Sequence, residues 1–579
     1  MTVGRGVRSW VVGLVIAHVL LGLAFSLSVP LGEAPDEADH WAYVQFLARE
    51  RRLPRGPELT QAKHPPLFHA TAALWTWAVV PQVDRLDSRL FLRANPDVSF
   101  SPAQVATGGY GYNSFIHTRY EEWPWRPGPL AFHWARFWSL VLSALTVVGT
   151  AGLARTLFPE DRVLPWVATG VVAFLPEFAF IGSVLNNDVA AACAGVWMLW
   201  GGARVARSGR WTAGWWTPLV MALGFWAKVS TSALWPAVLL AWCVPFVRRG
   251  RFRRAGKVCG GMLGVALLLV APWWIRNWRL YGDPLGWALV RQTVDVRRGP
   301  WTWQDTVWLL KGWFLSFWGK FGSAGHIPMA RGVYLFLLGA TLVALVGLGR
   351  AFYRGRAREV ILGLGLAVLG TAGAIWRYSL VALGTDQGRL LFPALGAIAL
   401  LLALGWLVWV PRSWRGRAGW GMVGGMFLLS VYALLGVLRP AYAPPPPSRS
   451  PQVERPAVFG PLVLRYWRLH PRPELFWTLR EPTDEDLRVA LRFVDEGGHV
   501  VWEWKRSPGA GRWSTDHWPL GYVMRDVYPR ARWAHVSPGR YRVEVGVYPF
   551  MGAWIPPDAS SSPFFPLGWI EVRRVTSNE

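Results

Sequence analysis

Residues 35–41 read Pro-Asp-Glu-Ala-Asp-His-Trp, which sets three carboxylates, Asp36, Glu37 and Asp39, beside the imidazole of His40. A carboxylate can take the proton of an attacking hydroxyl, so the cluster could serve as a general base. It follows the first long apolar run, Trp10 to Val29. About 20 apolar residues cross a bilayer, so the cluster is expected at the far face, as the floor of an active site at the membrane surface. Asp36, Asp39 and His40 could hold a divalent ion only with outside help, and their spacing is not diagnostic of a metal site. Salt bridges to loop arginines are the structural alternative for these carboxylates. For Asp39 and His40 a structural role weighs at least as heavily.

The elements that must position this cluster are membrane helices. Of 579 residues, 52% are hydrophobic, and the 40 tryptophans suit membrane–water boundaries. In a soluble protein a net charge of +26 would point to nucleic acid. Here the chain from Pro451 onward holds 17 basic and 15 acidic residues. Nearly all the excess therefore lies in the membrane portion, much of it in short runs between apolar segments, the pattern of positive-inside topology and of contact with anionic lipid headgroups. Nucleic acid is not an expected partner. Cys193, Cys243 and Cys259 fall inside apolar segments, so neither a disulfide framework nor a metal-thiolate site is expected. The Met1–Arg8 leader and the run after it read as a retained signal anchor.

After that first span, residues 32–130 form a large outer loop with no segment long enough to cross. Its apolar stretch Leu67–Val80 is expected to lie at the interface. Candidate spans follow at Ala131–Leu157, Leu164–Gly182, Val189–Val205, Ala213–Ala227, Ser232–Val247, Val258–Ile275, Gly332–Leu348, Val360–Trp376, Leu390–Val410 and Gly421–Leu438, giving about eleven helices in all. Alternating them puts Arg5/Arg8, Arg204/Arg207/Arg210, Arg248 to Arg254, Arg350 to Arg358 and Arg412/Arg415/Arg417 on the cytoplasmic side. The stretch Trp301–Trp318 carries aromatics at helical intervals and is expected as another interface helix.

Residues 441–450 are a Pro-rich linker, expected to be stiff and extended. Beyond it the pattern alternates: Leu487, Val489, Leu491 and Phe493 share one face, Asp495–Gly498 makes a turn, and Val500, Trp502 and Trp504 alternate back. Tyr541, Val543, Val545 and Val547 repeat the period of two. The fold class expected is a polytopic α-helical membrane domain, 1–440, followed by an all-β sandwich domain, 451–579, on the outer face.

Several stretches in order complete the picture: Pro35-Asp36-Glu37 with His40, Lys63-His64-Pro65-Pro66-Leu67, Asn186-Asn187-Asp188, Arg276-Asn277 with Tyr281-Gly282-Asp283-Pro284, and Asp386-Gln387-Gly388-Arg389-Leu390-Leu391-Phe392-Pro393. Over roughly residues 10 to 440 this resembles the GT-C superfamily of integral-membrane glycosyltransferases, near the dolichyl-phosphate-mannose mannosyltransferase-like and aminoarabinose-transferase-like branches. The resemblance implies transfer of a sugar from a polyprenyl-phosphate donor to an extracytoplasmic acceptor (protein, lipid or cell-wall glycan), with inversion at the anomeric carbon. It implies Asp36 as general base, with Glu37 second. A lipid-phosphate leaving group needs cationic partners. Candidates are His64 and Lys63 in the second motif, where the family carries a basic residue before the proline, together with Arg389 beside Gln387, Arg276, and Lys228. The last is a lone charge between apolar spans. Asp188 and its neighbours read first as a helix cap. For Arg276 and Arg389 the competing role is headgroup anchoring.

No P-loop or dinucleotide fingerprint occurs, which argues against an ATP-driven pump. Two alternatives stay open. One is a transporter or flippase of a lipid-linked solute, for which Lys228 is the one midplane charge. The other is a non-catalytic membrane protein whose β-sandwich binds glycan.

Overall fold

The computed structural model describes residues 5–355, 357–449, 456–558 and 560–573. The first residues of the leader, Arg356 in the fourth arginine run, and Pro451 and Glu579, the expected ends of the C-terminal domain, lie outside the described residues. So do the side chains of Arg5 and Arg8.

Among the described residues, nine helical segments are long and apolar enough to cross a membrane. They are Ser9–Ser28, Pro127–Leu157, Asp188–Ser208, Val229–Val247, Phe252–Tyr281, Arg331–Tyr353, Arg358–Ser379, Gly388–Leu407 and Arg412–Ala441. The chain is a multi-pass membrane protein. Two of the eleven expected spans come out shorter. The 164–182 segment breaks into Val163–Ala173 and Pro176–Ile181, because Leu175 takes an extended backbone (φ −69, ψ 118) ahead of Pro176. A residue before proline is driven out of the helical region. Thr217–Ala227 is 11 residues, about 16 Å of rise, half the hydrocarbon thickness.

The arginine-rich ends meet one another. Arg415 pairs with Asp161 at 3.0 Å, Arg249 donates to the Gly209 carbonyl, and Arg248 pairs with Glu359. Opposite ends of the same helices carry Asp36, Asp188, Lys228 and Arg389, so the two faces segregate as charge alternation requires. Cys243 and Cys259 are joined in a disulfide, with Cα atoms 6.3 Å apart, which corrects the expectation of no disulfide. The turn between Val247 and Phe252 folds two consecutive helices into a hairpin, and that brings the two cysteines face to face.

On the site-bearing side lie the helices Glu37–Glu50 and Leu67–Trp77 of the large loop, and Trp303–Gly319. The last forms as the aromatic spacing predicts and starts on a capping box between Thr302 and Asp305.

The C-terminal region is a β-sandwich of two four-stranded antiparallel sheets around one core. One sheet runs Met524–Val527, Glu474–Leu479, Leu462–Arg468, Ala457–Phe459. The other runs Phe564–Val572, Gly539–Pro549, Leu487–Val494, Val500–Arg506. Phe493 pairs with Trp502 and Leu491 with Trp504, so the expected hairpin forms. Leu487, Val489, Leu491, Phe493, Val543, Val545 and Val547 are all fully buried. The proline-rich stretch does not hold the sandwich away. Ser448 N donates to Val523 O at 2.9 Å, and Tyr522 Oη donates to Pro445 O at 2.8 Å. The sandwich docks on the large loop, where Asn113 Nδ2 donates to Gly511 O (2.6 Å), Asn95 Nδ2 to Ala510 O (3.0 Å), and Arg93 pairs with Asp486 (2.7 Å).

Candidate active site

Asp36 precedes the helix Glu37–Glu50 in the left-handed region (φ 59, ψ 6), and its side chain makes no capping bond. Such a backbone costs a non-glycine residue about 1 kcal/mol. Here it turns the carboxylate away from its own helix, and Oδ2 accepts from Arg389 Nη2 at 2.6 Å. Glu37, one residue on, points into the protein. Its oxygens accept from Arg136 Nε and Nη2 (both 2.8 Å), Leu185 N (2.9 Å) and Gly32 N (3.1 Å), and both partners of the ion pair are fully buried. Glu37 therefore fastens the loop to the helix Pro127–Leu157 and to the turn ahead of Asp188–Ser208, and it is not brought into the site with Asp36.

Arg389 is held from below. A Cβ on Gly388 would lie 2.3 Å from Phe317 N and 2.5 Å from Trp313 O, so only glycine lets the loop press onto the helix Trp303–Gly319. Gly388 N donates to Ser316 Oγ (2.5 Å), and Trp313 Nε1 to Thr385 O (2.9 Å). From that anchored position Arg389 donates Nε to Gln387 Oε1 (2.6 Å), Nη1 to Asp188 Oδ2 (2.5 Å) and Nη2 to Asp36. Lys228 pairs with the other oxygen of Asp188. The result is an alternating chain of charge: Asp36, Arg389, Asp188, Lys228.

Asp188 was expected as a cap. Asn186 instead receives Asp188 N on its own side chain (2.9 Å) and donates Nδ2 to Pro35 O (2.9 Å), which hooks the Asp36 turn onto the start of the helix Asp188–Ser208.

Lys63 donates Nζ to Thr60 O at 2.7 Å within the field of Asp36 and Asp39. Burial pushes the Asp39 carboxyl up, and the Asp36 charge adds to it. Burial, reinforced by Lys63 and Lys228, holds His64 well below the usual histidine range, so it is neutral and supplies no fixed cation. His40 is pushed down to about 3, chiefly by burial. Its Nδ1 lies 2.9 Å from Nε2 of His69, a buried imidazole stacked on Tyr43. Asp36 is half open to solvent yet crowded by protein; that partial desolvation favours the protonated form, but the Arg389 charge, followed by Lys228, outweighs it and brings the carboxyl to about 2. Arg276 stands apart: it donates to Pro54 O (2.5 Å) and lies over Trp273, bracing the loop near Gly56.

Three supporting residues escape a reading of the sequence. Arg136, the partner of Glu37, carried a signal, as a charge inside an expected span. Glu33 accepts from Ser114 N (2.9 Å), Phe115 N (2.8 Å) and His117 Nε2 (3.0 Å), and nothing in its spacing announces that. His69 sits in a short apolar helix and reads as core. Among the described residues no group of three or more His, Cys, Asp or Glu is placed to hold a metal ion.

The structure also holds an apolar groove of about 380 Å³. Its walls include Leu67, Phe68, Trp138, Ala190, Trp197 and Ala227. Leu67, Ala190 and Ala227 stand within three residues of His64, Asp188 and Lys228 in sequence, while no residue of the ion chain itself lines the groove.

The fold and this site define a multi-pass membrane protein with a buried ion chain at one face. Residues 132–276 match the model of a family described as dolichyl-phosphate-mannose-protein mannosyltransferase, which bears out the resemblance over that stretch. No curated protein sequence matches the chain. Among solved structures it is similar to ArnT from Cupriavidus metallidurans bound to undecaprenyl phosphate, at 14% identity and TM-score 0.43. That likeness covers 73% of this chain and 65% of the other, so the chain spans under two thirds of that protein's length.

Proposed function

We propose that the protein transfers a sugar from a polyprenyl-phosphate donor to an acceptor hydroxyl on the extracytoplasmic face. The observation that carries this reading is Arg389 Nη2 against Asp36 Oδ2 at 2.6 Å. A phosphate binder and a proton acceptor thus meet, and the apolar groove walled by Ala190 and Ala227, neighbours in sequence of Asp188 and Lys228, offers room for an isoprenoid chain. The family match over residues 132–276 supports the reading.

In the reaction the acceptor oxygen attacks the anomeric carbon while the bond from that carbon to the phosphate oxygen breaks. Asp36 receives the acceptor's proton. Arg389, with Lys228 and Lys63 nearby, balances the charge that gathers on the departing phosphate. Direct displacement inverts the anomeric centre. Mass spectrometry of the purified protein incubated with a lipid extract tests the reading. Consumption of a polyprenyl-phosphate sugar with release of polyprenyl phosphate is the expected result, and its absence with folded protein counts against the proposal.

A further inference from the structure

We infer that Asp36 stands in for the donor phosphate on Arg389, and that Asp188 is the positioning residue which keeps Arg389 and Lys228 in place when phosphate takes over that arm. The inference rests on the transferase reading above and adds an order of events to it.

Every nitrogen of the Arg389 fork is engaged by protein: Nε by Gln387, Nη1 by Asp188 and Nη2 by Asp36. Nη1 and Nη2 each keep one further N–H, but a phosphate drawn to either is repelled by the carboxylate already on that arm, so it competes with Asp188 or Asp36. Side-chain exposure selects which: Arg389 is 5% exposed, Asp188 1% and Lys228 11%, but Asp36 is 44%. Solvent, and so a ligand, reaches the ion chain from the Asp36 end. Moving Asp188 instead would strand two buried cations at once, which is strongly unfavourable. Asp36 can swing into the open floor and be hydrated.

The exchange changes the chemistry of Asp36. The groups around it are Arg389, Lys228, His40, Lys63, Asp39 and Tyr378. While Arg389 holds the carboxylate, Asp36 is a poor proton acceptor. Once phosphate occupies Nη2, Asp36 has lost its closest cation and gained an anionic neighbour, and both effects raise its proton affinity. The base becomes competent only with donor in place, so donor binds first. The acceptor proton then goes to Asp36 as the carbon–oxygen bond to phosphate breaks, and the electron pair leaves on the phosphate that Arg389 holds.

The test is equilibrium binding of undecaprenyl phosphate to the detergent-solubilised full chain. Asp36→Asn removes a competitor and should tighten binding by roughly tenfold, the scale of one close like-charge contact near a protein surface. Asp188→Asn also removes a negative charge, yet it should weaken binding by a comparable factor because Arg389 and Lys228 lose their holder. Arg389→Ala should abolish it. Unchanged or weaker binding by Asp36→Asn overturns the stand-in while leaving the transferase reading intact. Failure of the unaltered protein to bind overturns both. Tighter binding by Asp188→Asn overturns its positioning role. If that variant does not fold, Asp188→Glu, which keeps the charge but shifts its reach, replaces it, and binding as tight as in the unaltered protein overturns the positioning role; rate profiles of the unaltered protein test the exchange itself. The acid limb of kcat should lie at higher pH than that of kcat/KM for the donor, and coincident limbs overturn the exchange.

Discussion

Asp97 of the large loop and Arg506 of the β-sandwich are both completely buried, with Oδ2 of one 3.4 Å from Nε of the other. Asp526 of the sandwich pairs with the same guanidinium at 2.5 Å, and Arg532 reaches the other oxygen of Asp97 at 3.3 Å. The sandwich has a core of its own, but its contact with the loop is a buried charge network. Breaking such a pair costs about 3–5 kcal/mol. Asp97→Ala is therefore expected to lower the melting temperature of the whole protein and to raise hydrogen exchange in residues 93–118. Unchanged melting and exchange would show that the docking contributes little. An isolated 456–573 fragment, still holding Asp526 on Arg506, is expected to fold but to melt below the intact chain.

Asp36 and Glu37 are adjacent in sequence and should fail differently. Asp36→Asn keeps shape and is expected to leave the protein folded while lowering transfer by about 10²–10⁴-fold, the usual worth of a general base. Glu37→Gln leaves the buried Arg136 without its carboxylate and should lower yield and melting temperature first. Transfer and melting measured side by side check both, and near-normal transfer by folded Asp36→Asn would remove the catalytic assignment.

His40 and His69 are buried at 1% and 0% exposure, and burial depresses both, His40 to about 3. Between that region and the unfolded value near 6.5, the unfolded chain binds protons that the folded chain does not. Stability is thus fully present above about pH 6.5 and falls as pH drops below it, by up to about 1.4 kcal/mol per pH unit for each imidazole. Melting curves from pH 7.5 to 5 should slope downward on acidification, and His69→Phe should flatten the slope. Parallel curves for the two proteins would take His69 out of the titration.

Sidedness can be read with an impermeant thiol reagent on intact cells. Thr107 and Ser561 are exposed positions on the loop and the sandwich. In a background lacking the native cysteines, Thr107→Cys and Ser561→Cys should both label from outside. Labelling of either only after the cells are opened would invert the topology and move the proposed chemistry to the cytoplasmic face.

Membrane helices are legible in a sequence because the bilayer imposes one requirement, a long apolar run, and composition alone meets it. Nine segments among the described residues satisfied it, and the proline that split Leu164–Gly182 stands in plain sight in the sequence. The β-sandwich was legible for a related reason, since a strand with one buried face must alternate, and residues 487–504 and 541–547 do. Asp36, Lys228 and Arg389 also announced themselves, as charges at the ends of apolar runs. Their pairing did not, because Asp36 and Arg389 lie 353 residues apart and meet only after the helices between them have packed. The same holds for Asp188, read as a cap from its place at a helix start and found between two cations. Local pattern could not separate Asp36 from Glu37, because the division of labour comes from one left-handed residue and from Arg136 reaching in from another helix. Local spacing determined where charge sits along this chain, and tertiary packing decided which charges face each other, which are walled off from water, and which one stays open to a ligand.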